Sequence, residues 1–369
     1  MEMKFEPIEK KRLTQAKWAY TTRRINRQQE FHLLSGELAP LPGDLLLAQV
    51  VELGQHKRLE LATSRRASLF EGDEIVIAYG NRYAPDQFEG VVPDHLGPCR
   101  LVAAGGVAAR QLNRHDRIRP ATRITPIGLL ADKNGHRINL SSARLPKVDQ
   151  IKPSPLVLVV AGTSMNSGKT TTCANLVKGF VRQQIKVAAA KFTGTGAGSD
   201  YRALVDAGAD PVFDFIDAGY VSTYRVNRDA LLDITTTLGS EMSAAQPEVI
   251  VIEIADGLLQ RETAQLFGTP AFTDWIDGVI FAAGDALGAR AGISWLMARQ
   301  LPVIAITGVL TSSPLAQREA EEVCGLPVYH TRALAHANVS HYIYDCLQYR
   351  KKRRLEMAKE TSAAAEVPG

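Results

Sequence analysis

Cysteine is scarce in these 369 residues: Cys99, Cys173, Cys324 and Cys346 stand far apart, with no Cys-x-x-Cys pair and no histidine cluster at metal-ligand spacing. That scarcity excludes a disulfide-stapled scaffold and a zinc ribbon, and it reads as reduced thiols in a cytoplasmic protein. Long apolar runs are missing too. None approaches the ~20 residues that span a bilayer, and the start, MEMKFEPIEKKRL, has no apolar signal core. No membrane partner is expected.

Charge of one sign is also modest, at a formal net +4. It is unevenly placed, with Lys10, Lys11, Arg12, Lys17, Arg23, Arg24 and Arg27 near the start and Arg350 to Arg354 near the end. Such runs are most simply solvated faces, so nucleic acid ranks last among partners. Hydrophobic residues make up 45% and charged residues 22%, the balance of a globular chain long enough for two cores.

Those two cores have different grammar. Residues 43–53, 57–63, 73–80, 99–110 and 125–140 are short leucine-rich or β-branched runs broken by glycine turns, which predicts a β-rich barrel or sandwich. The polar stretch 79–90, with Asn81, Arg82, Tyr83, Asp86 and Gln87, reads as a long loop. From about 156 onward, apolar strands alternate with helical stretches: LVLVVAG, KVAAAKFTG, EVIVIEIADG, GVIFAAG and VIAITGV. This predicts a mostly parallel sheet covered by helices on both faces, with ligands at the carboxyl ends of the strands. The expected organisation is a basic segment 1–30, a β-rich domain 31–145, a linker 146–155, an α/β domain 156–345 and a basic, partly disordered tail 346–369.

One segment carries the chemistry. A buried strand, Val157 to Ala161, breaks into Gly162, Thr163, Ser164, Met165, Asn166, Ser167 and Gly168, then Lys169, Thr170 and Thr171 open a helix. Strand, glycine-bearing loop, Lys-Thr and helix is the order that wraps a polyphosphate. Lys169 would reach the outer phosphates and Thr170 would offer its hydroxyl to Mg²⁺. The first glycine sits one residue early, and Thr163 takes its usual place. The nucleotide is expected to be ATP, with GTP less favoured because no Asn-Lys-x-Asp signature is present.

Other strand ends add candidates. Lys191 ends the second run and is followed by Thr193, Gly194 and the open loop to Asp200, a setting for capture of an anionic substrate. Asp200 is either a metal ligand or the cap of the helix after it. Four apolar residues deliver Glu253 to the end of the third run, where it can complete a Mg²⁺ shell, with Asp256 as a further ligand or substrate contact. Arg261 either supports charge on a transferring phosphate or pairs with Glu262. The irregular stretch 211–226, with Asp214, Asp217, Ser222, Thr223 and Tyr224, is placed to bind an acceptor.

Taken together, Gly162-Thr163 with Gly168-Lys169-Thr170, the strand leading to Lys191 and the acidic strand resemble the dethiobiotin synthetase-type P-loop fold of the SIMIBI NTPases. That resemblance implies Mg²⁺ held by Thr170, Asp200 and Glu253, and Lys191 positioning an anionic intermediate. Residues 282–290 and 301–303 resemble the family's turn and strand near the nucleotide base. It also implies a homodimer, because related folds place the substrate at a dimer boundary. It covers roughly residues 156–330. Two departures are plain: Ile254-Ala255-Asp256-Gly257 replaces a Gly-Ala-Gly-Gly run, and the β-rich half has no counterpart in dethiobiotin synthetase. P-loop proteins of the D-glutamate N-acetyltransferase type, and molybdopterin-guanine dinucleotide accessory GTPases, also join a P-loop domain to an amino-terminal one.

The expected function is ATP- and Mg²⁺-dependent activation of a small carboxylate, carbamate or hydroxyl by γ-phosphoryl transfer, with Lys169, Lys191 and Glu253 as catalytic residues. Lys191, Thr193, Gly194, Asp217, Ser222 and Asp256 would bind the small-molecule substrate. The alternatives are a regulatory NTPase acting on a protein partner and an N-acyltransferase.

Overall fold

The computed structural model describes residues 3–146 and 155–365, with side chains through residue 356. Most of the expected linker, residues 147–154, lies outside them. Contacts divide the chain into two units: Met1–Lys147 with Thr193–Arg202 and Phe213–Leu238, and Val148–Phe192 with Ala203–Val212 and Gly239–Gly369.

The amino-terminal unit is built on a ten-stranded sheet. Five of its strands close a ring. Thr122–Ala131 pairs with Leu45–Glu52, which pairs with Glu74–Tyr79. That strand runs parallel to Val107–Arg114, which turns back on Cys99–Ala103, and the latter pairs with Thr122–Ala131 again. Closure of this kind removes sheet edges. It also explains why the runs LLLA and IVIAY are continuous rather than alternating. Leu45, Leu47, Val76 and Ala78 face one buried cluster while Leu46, Ala48, Ile75 and Ile77 face another, so both faces of these strands are covered.

Three expectations for this unit are corrected. Residues 79–90 form no loop, because Arg82–Tyr83 and Phe88–Val91 pair as an antiparallel hairpin. Its polar groups are used internally: Arg82 Nη2 donates to Gln87 Oε1 at 2.7 Å and Asn81 Oδ1 accepts from Val92 N at 2.9 Å. Nor is the basic start a separate segment. Lys4–Pro7 and Lys17–Trp18 are strands of the same sheet, and Arg23 is half-buried against Asp214 and Asp217 at 2.8 and 2.6 Å. Finally, Thr193–Arg202 and Phe213–Leu238, expected within the α/β domain, belong here.

The second unit holds the parallel sheet. Its strands Val187–Lys191, Val249–Glu253, Leu156–Gly162, Gly278–Ala282 and Val303–Thr307 lie side by side in that order, every pairing parallel. The central strand is buried along its whole length. The helices Lys169–Arg182 and Ala337–Ala365 contact each other and the sheet, and Ala286–Met297 packs on Pro314–Cys324. The result is a mixed α/β fold, a parallel sheet with helices. Residues 346–365, expected as a partly disordered tail, continue the helix Ala337–Ala365, and Leu347 is fully buried. Among the described residues no helix is long and apolar enough to cross a membrane.

Candidate functional site

The loop after the central strand is shaped by neighbours that leave no room for side chains. A Cβ on Gly162 would lie 2.4 Å from Ser167 Oγ and 2.7 Å from the carbonyl of Ala282. The early glycine is therefore a packing requirement of this loop. Thr163, in the usual glycine position, is tied by its N–H to Ala282 O at 3.0 Å. Gly168 caps the helix Lys169–Arg182 with φ +101°, which a side chain would strain.

Two supports escaped sequence reasoning. Val309 N donates to Ser167 O at 3.0 Å, and a Cβ on Gly308 would sit 2.6 Å from that same carbonyl. On the other side, a Cβ on Gly257 would lie 2.1 Å from Thr163 O, which sets the loop carrying Asp256 against the phosphate loop. Gly308 directly follows an apolar strand and Gly257 comes four residues after the acidic end of another, and that was the signal available.

Within this frame the Lys169 side chain is buried and its Nζ donates to Ser164 O at 2.6 Å. Thr170, one residue on, aims its hydroxyl at the strand beside the central one and donates to Glu253 Oε1 at 3.1 Å. Glu253 is 2% exposed and stands opposite Lys191 in the register of adjacent parallel strands. Lys191 Nζ lies 3.5 Å from the same Oε1. Thus Lys169, Thr170, Lys191 and Glu253, four of the expected site residues, gather at the carboxyl ends of three neighbouring strands.

Thr193, Gly194, Asp200, Asp217 and Ser222 all belong to the amino-terminal unit. Asp200 lies in the first turn of its helix, Gly198–Ala207, and Glu60 Oε2 accepts from the first N–H of that helix, Gly198 N, at 2.7 Å. Gly194 N is held by Thr223 Oγ1 at 2.8 Å. The Asp217 carboxylate is held by Arg23, by Arg24 at 3.4 Å and by Asp214 N at 2.9 Å. Burial raises its pKa above the ordinary carboxylate range even so, against the opposing pull of Arg23. Arg261 is exposed and Glu262 is buried on Gln260, so those two do not pair.

No family model matches the chain, and no curated protein does. Among solved structures it is similar to the signal recognition particle 54 kDa protein of Aeropyrum pernix K1 in complex with GDP, at 20% identity and a TM-score of 0.36 over 59% of this chain and 54% of that one. It is also similar to the signal recognition particle receptor FtsY of Elizabethkingia anophelis in complex with GDP, at 17% identity and a TM-score of 0.35 over 52% and 65%. FtsY of Mycoplasma mycoides is similar at 15% identity and a TM-score of 0.36 over 55% and 70%. The chain thus spans about half the length of the first of these and just under two thirds of the second.

Proposed function

We propose that this chain is a P-loop enzyme of the SIMIBI type that binds ATP with Mg²⁺ and transfers the γ-phosphoryl group to a small anionic acceptor. The observation that carries the reading is the convergence of Thr170 Oγ1 and Lys191 Nζ on Glu253 Oε1, beside the buried ammonium of Lys169. Hydroxyl and carboxylate are hard oxygen donors, and at 3.1 Å from one another they fit a magnesium ion. When bound, that ion supplies charge neutralisation along the phosphate oxygens. Lys169 would exchange the Ser164 carbonyl for a phosphate oxygen, a swap of one hydrogen-bond acceptor for a charged one. Lys191, balanced by Glu253, would orient the incoming anion. The loop amides between Gly162 and Gly168 would add donors to the phosphates, and preorganised donors carry most of the rate in phosphoryl transfer.

The test is titration of fluorescent ATP and GTP analogues with and without Mg²⁺, followed by phosphate release in the presence of small carboxylates. ATP is expected to compete better than GTP, and Lys169→Ala to weaken binding by roughly 10²-fold. Unchanged affinity in that variant would end the proposal.

A second reading, an NTPase acting on a protein partner, is favoured by one feature. Leu259, Leu287 and Val309, on the segments after three of the parallel strands, are 86%, 80% and 50% exposed. Hydrolysis accelerated by a protein fraction and by no metabolite would select it.

A further inference from the structure

Several members of the two terminal basic runs are answered within the fold. Arg12 is forked onto Glu74, Lys17 pairs with Asp73, and Arg354 donates to Asp277 at 2.6 Å. A third group of cations, in the barrel, is not answered in this way. Residues 52–58 carry Lys57 and Arg58, and residues 114–123 carry Arg114, Arg117, Arg119 and Arg123, with only Glu52 and Asp116 as acids between them. The fold lays these two segments together. Gln55 N donates to Pro120 O at 2.8 Å, Arg119 N to Gln55 Oε1 at 3.2 Å, and Thr122 Oγ1 to His56 O at 2.6 Å. A Cβ on Gly54 would stand 2.1 Å from Pro120 O, so the approach leaves room for no side chain there. Arg100 joins from the neighbouring strand as the register partner of Arg123, a like-charge pair directly opposite on antiparallel strands, which opposes folding. Arg100 is turned onto Ala121 O at 2.8 Å and Arg123 toward Glu52 at 3.4 Å. Lys57, Arg58, Arg117 and Arg119 are exposed, and among the described residues their side chains make no hydrogen bond and no ion pair.

We propose that this surface binds the phosphodiester backbone of a nucleic-acid duplex. Exposed cations with no acid on them are what a polyanion needs, because each phosphate they neutralise releases condensed counterions. All but Lys57 are arginines, whose planar forks match pairs of phosphate oxygens. Neither segment holds a phenylalanine, tyrosine or tryptophan on which an unpaired base could stack, which favours a duplex over a single strand. Their larger aliphatic side chains, Leu53 and Ile118, are partly buried and offer no apolar face to a lipid surface. The surface stands apart from the nucleotide reading, because all of these residues lie within Met1–Lys147.

Fluorescence anisotropy of labelled duplex DNA and duplex RNA tests this, with full-length Lys169→Ala protein so that the phosphate loop takes no part. With duplexes of about 20 base pairs in about 50 mM salt, a dissociation constant of about 10 μM or tighter is expected. The slope of log affinity against log salt should be about −3 to −4, as for four neutralised phosphates. The tighter of the two duplexes names the polymer. Combined Lys57→Gln, Arg58→Gln, Arg117→Gln and Arg119→Gln is expected to weaken binding at least about tenfold and to bring the slope near zero. Its urea midpoint should match the parent's, because these four side chains hold nothing in the fold. Lys352→Gln with Arg353→Gln, exposed cations of the other unit, should leave binding unchanged. Binding of neither duplex, or binding that the fourfold variant leaves unchanged, overturns the proposal. So does capture by phosphatidylserine vesicles with no binding of either duplex, which would assign the surface to a membrane.

Discussion

Lys191 and Glu253 face each other across two adjacent parallel strands, Nζ to Oε1 at 3.5 Å, with Thr170 donating to the same oxygen at 3.1 Å. The side chains are 12% and 2% exposed, so water screens the pair little and losing one member changes the setting of the other. Lys191→Met is expected to lower stability by about 3 kcal/mol, and Lys191→Met with Glu253→Gln to recover at least half of that loss. Urea unfolding of Lys191→Met, Glu253→Gln and the double variant checks it. Simple addition of the two single costs would mean that the charges do not depend on one another.

Gly162→Ala provides a geometric test. Its new methyl would meet a side-chain oxygen at 2.4 Å and the backbone carbonyl of Ala282 at 2.7 Å. Relief of the first contact by Ser167→Ala leaves the second, so the double variant should stay impaired. Both are expected to lose at least about tenfold in nucleotide affinity through the displaced loop. Gly284→Ala, which meets nothing within 4 Å, should bind as the parent does. Rescue by Ser167→Ala would show that the carbonyl contact is soft.

The parallel sheet and its phosphate loop were legible in the sequence because buried parallel strands are unbroken apolar runs, and each ends where a glycine, Lys191 or Glu253 appears. The path of the chain between those strands was not. The segments 193–202 and 213–238 are assigned to the amino-terminal unit by contacts of long sequence separation. Glu60 caps Gly198, and the Tyr20 hydroxyl donates to Asp214 at 2.6 Å. No periodicity within either segment reports such partners. The same reason misled the reading of Arg23, one of a row of basic residues that looks solvated in sequence. Hairpin 82–91 was missed because Arg82 and Gln87, polar residues on either side of its turn, bond to each other.

His56 gives a pH test in the barrel. Its Nε2 lies 3.0 Å from Val102 O and 3.3 Å from Arg82 Nη1, and burial, then the Arg82 charge, push its pKa down to about 4. The unfolded chain takes up this proton near pH 6.5 while the folded one refuses it, so stability is full above pH 6.5 and is lost as pH falls toward 4. The loss attributable to His56 is up to about 3 kcal/mol. His56→Gln should flatten that part of the pH profile, read as urea midpoints between pH 7 and 4. Parallel profiles for parent and variant would remove His56 as the cause.

At the start of the strand Gly278–Ala282, Asp277 is 1% exposed and accepts from Val157 N at 2.9 Å and from Arg354 at 2.6 Å. Burial raises its pKa despite both partners. An acid with a raised folded pKa favours the fold at low pH and loses that contribution as pH rises through the folded value. Arg354→Ala removes the nearest cation and raises the value further, so its cost must grow with pH. We expect about 1–2 kcal/mol at pH 7.5 and close to none at pH 3.5, where the carboxyl is protonated with or without the arginine. Arg353→Ala, an exposed neighbour on the same helix, should cost little at either pH. An Arg354→Ala cost that is equal at the two pH values would show that the helix is held by packing around Leu347, with the ion pair contributing nothing.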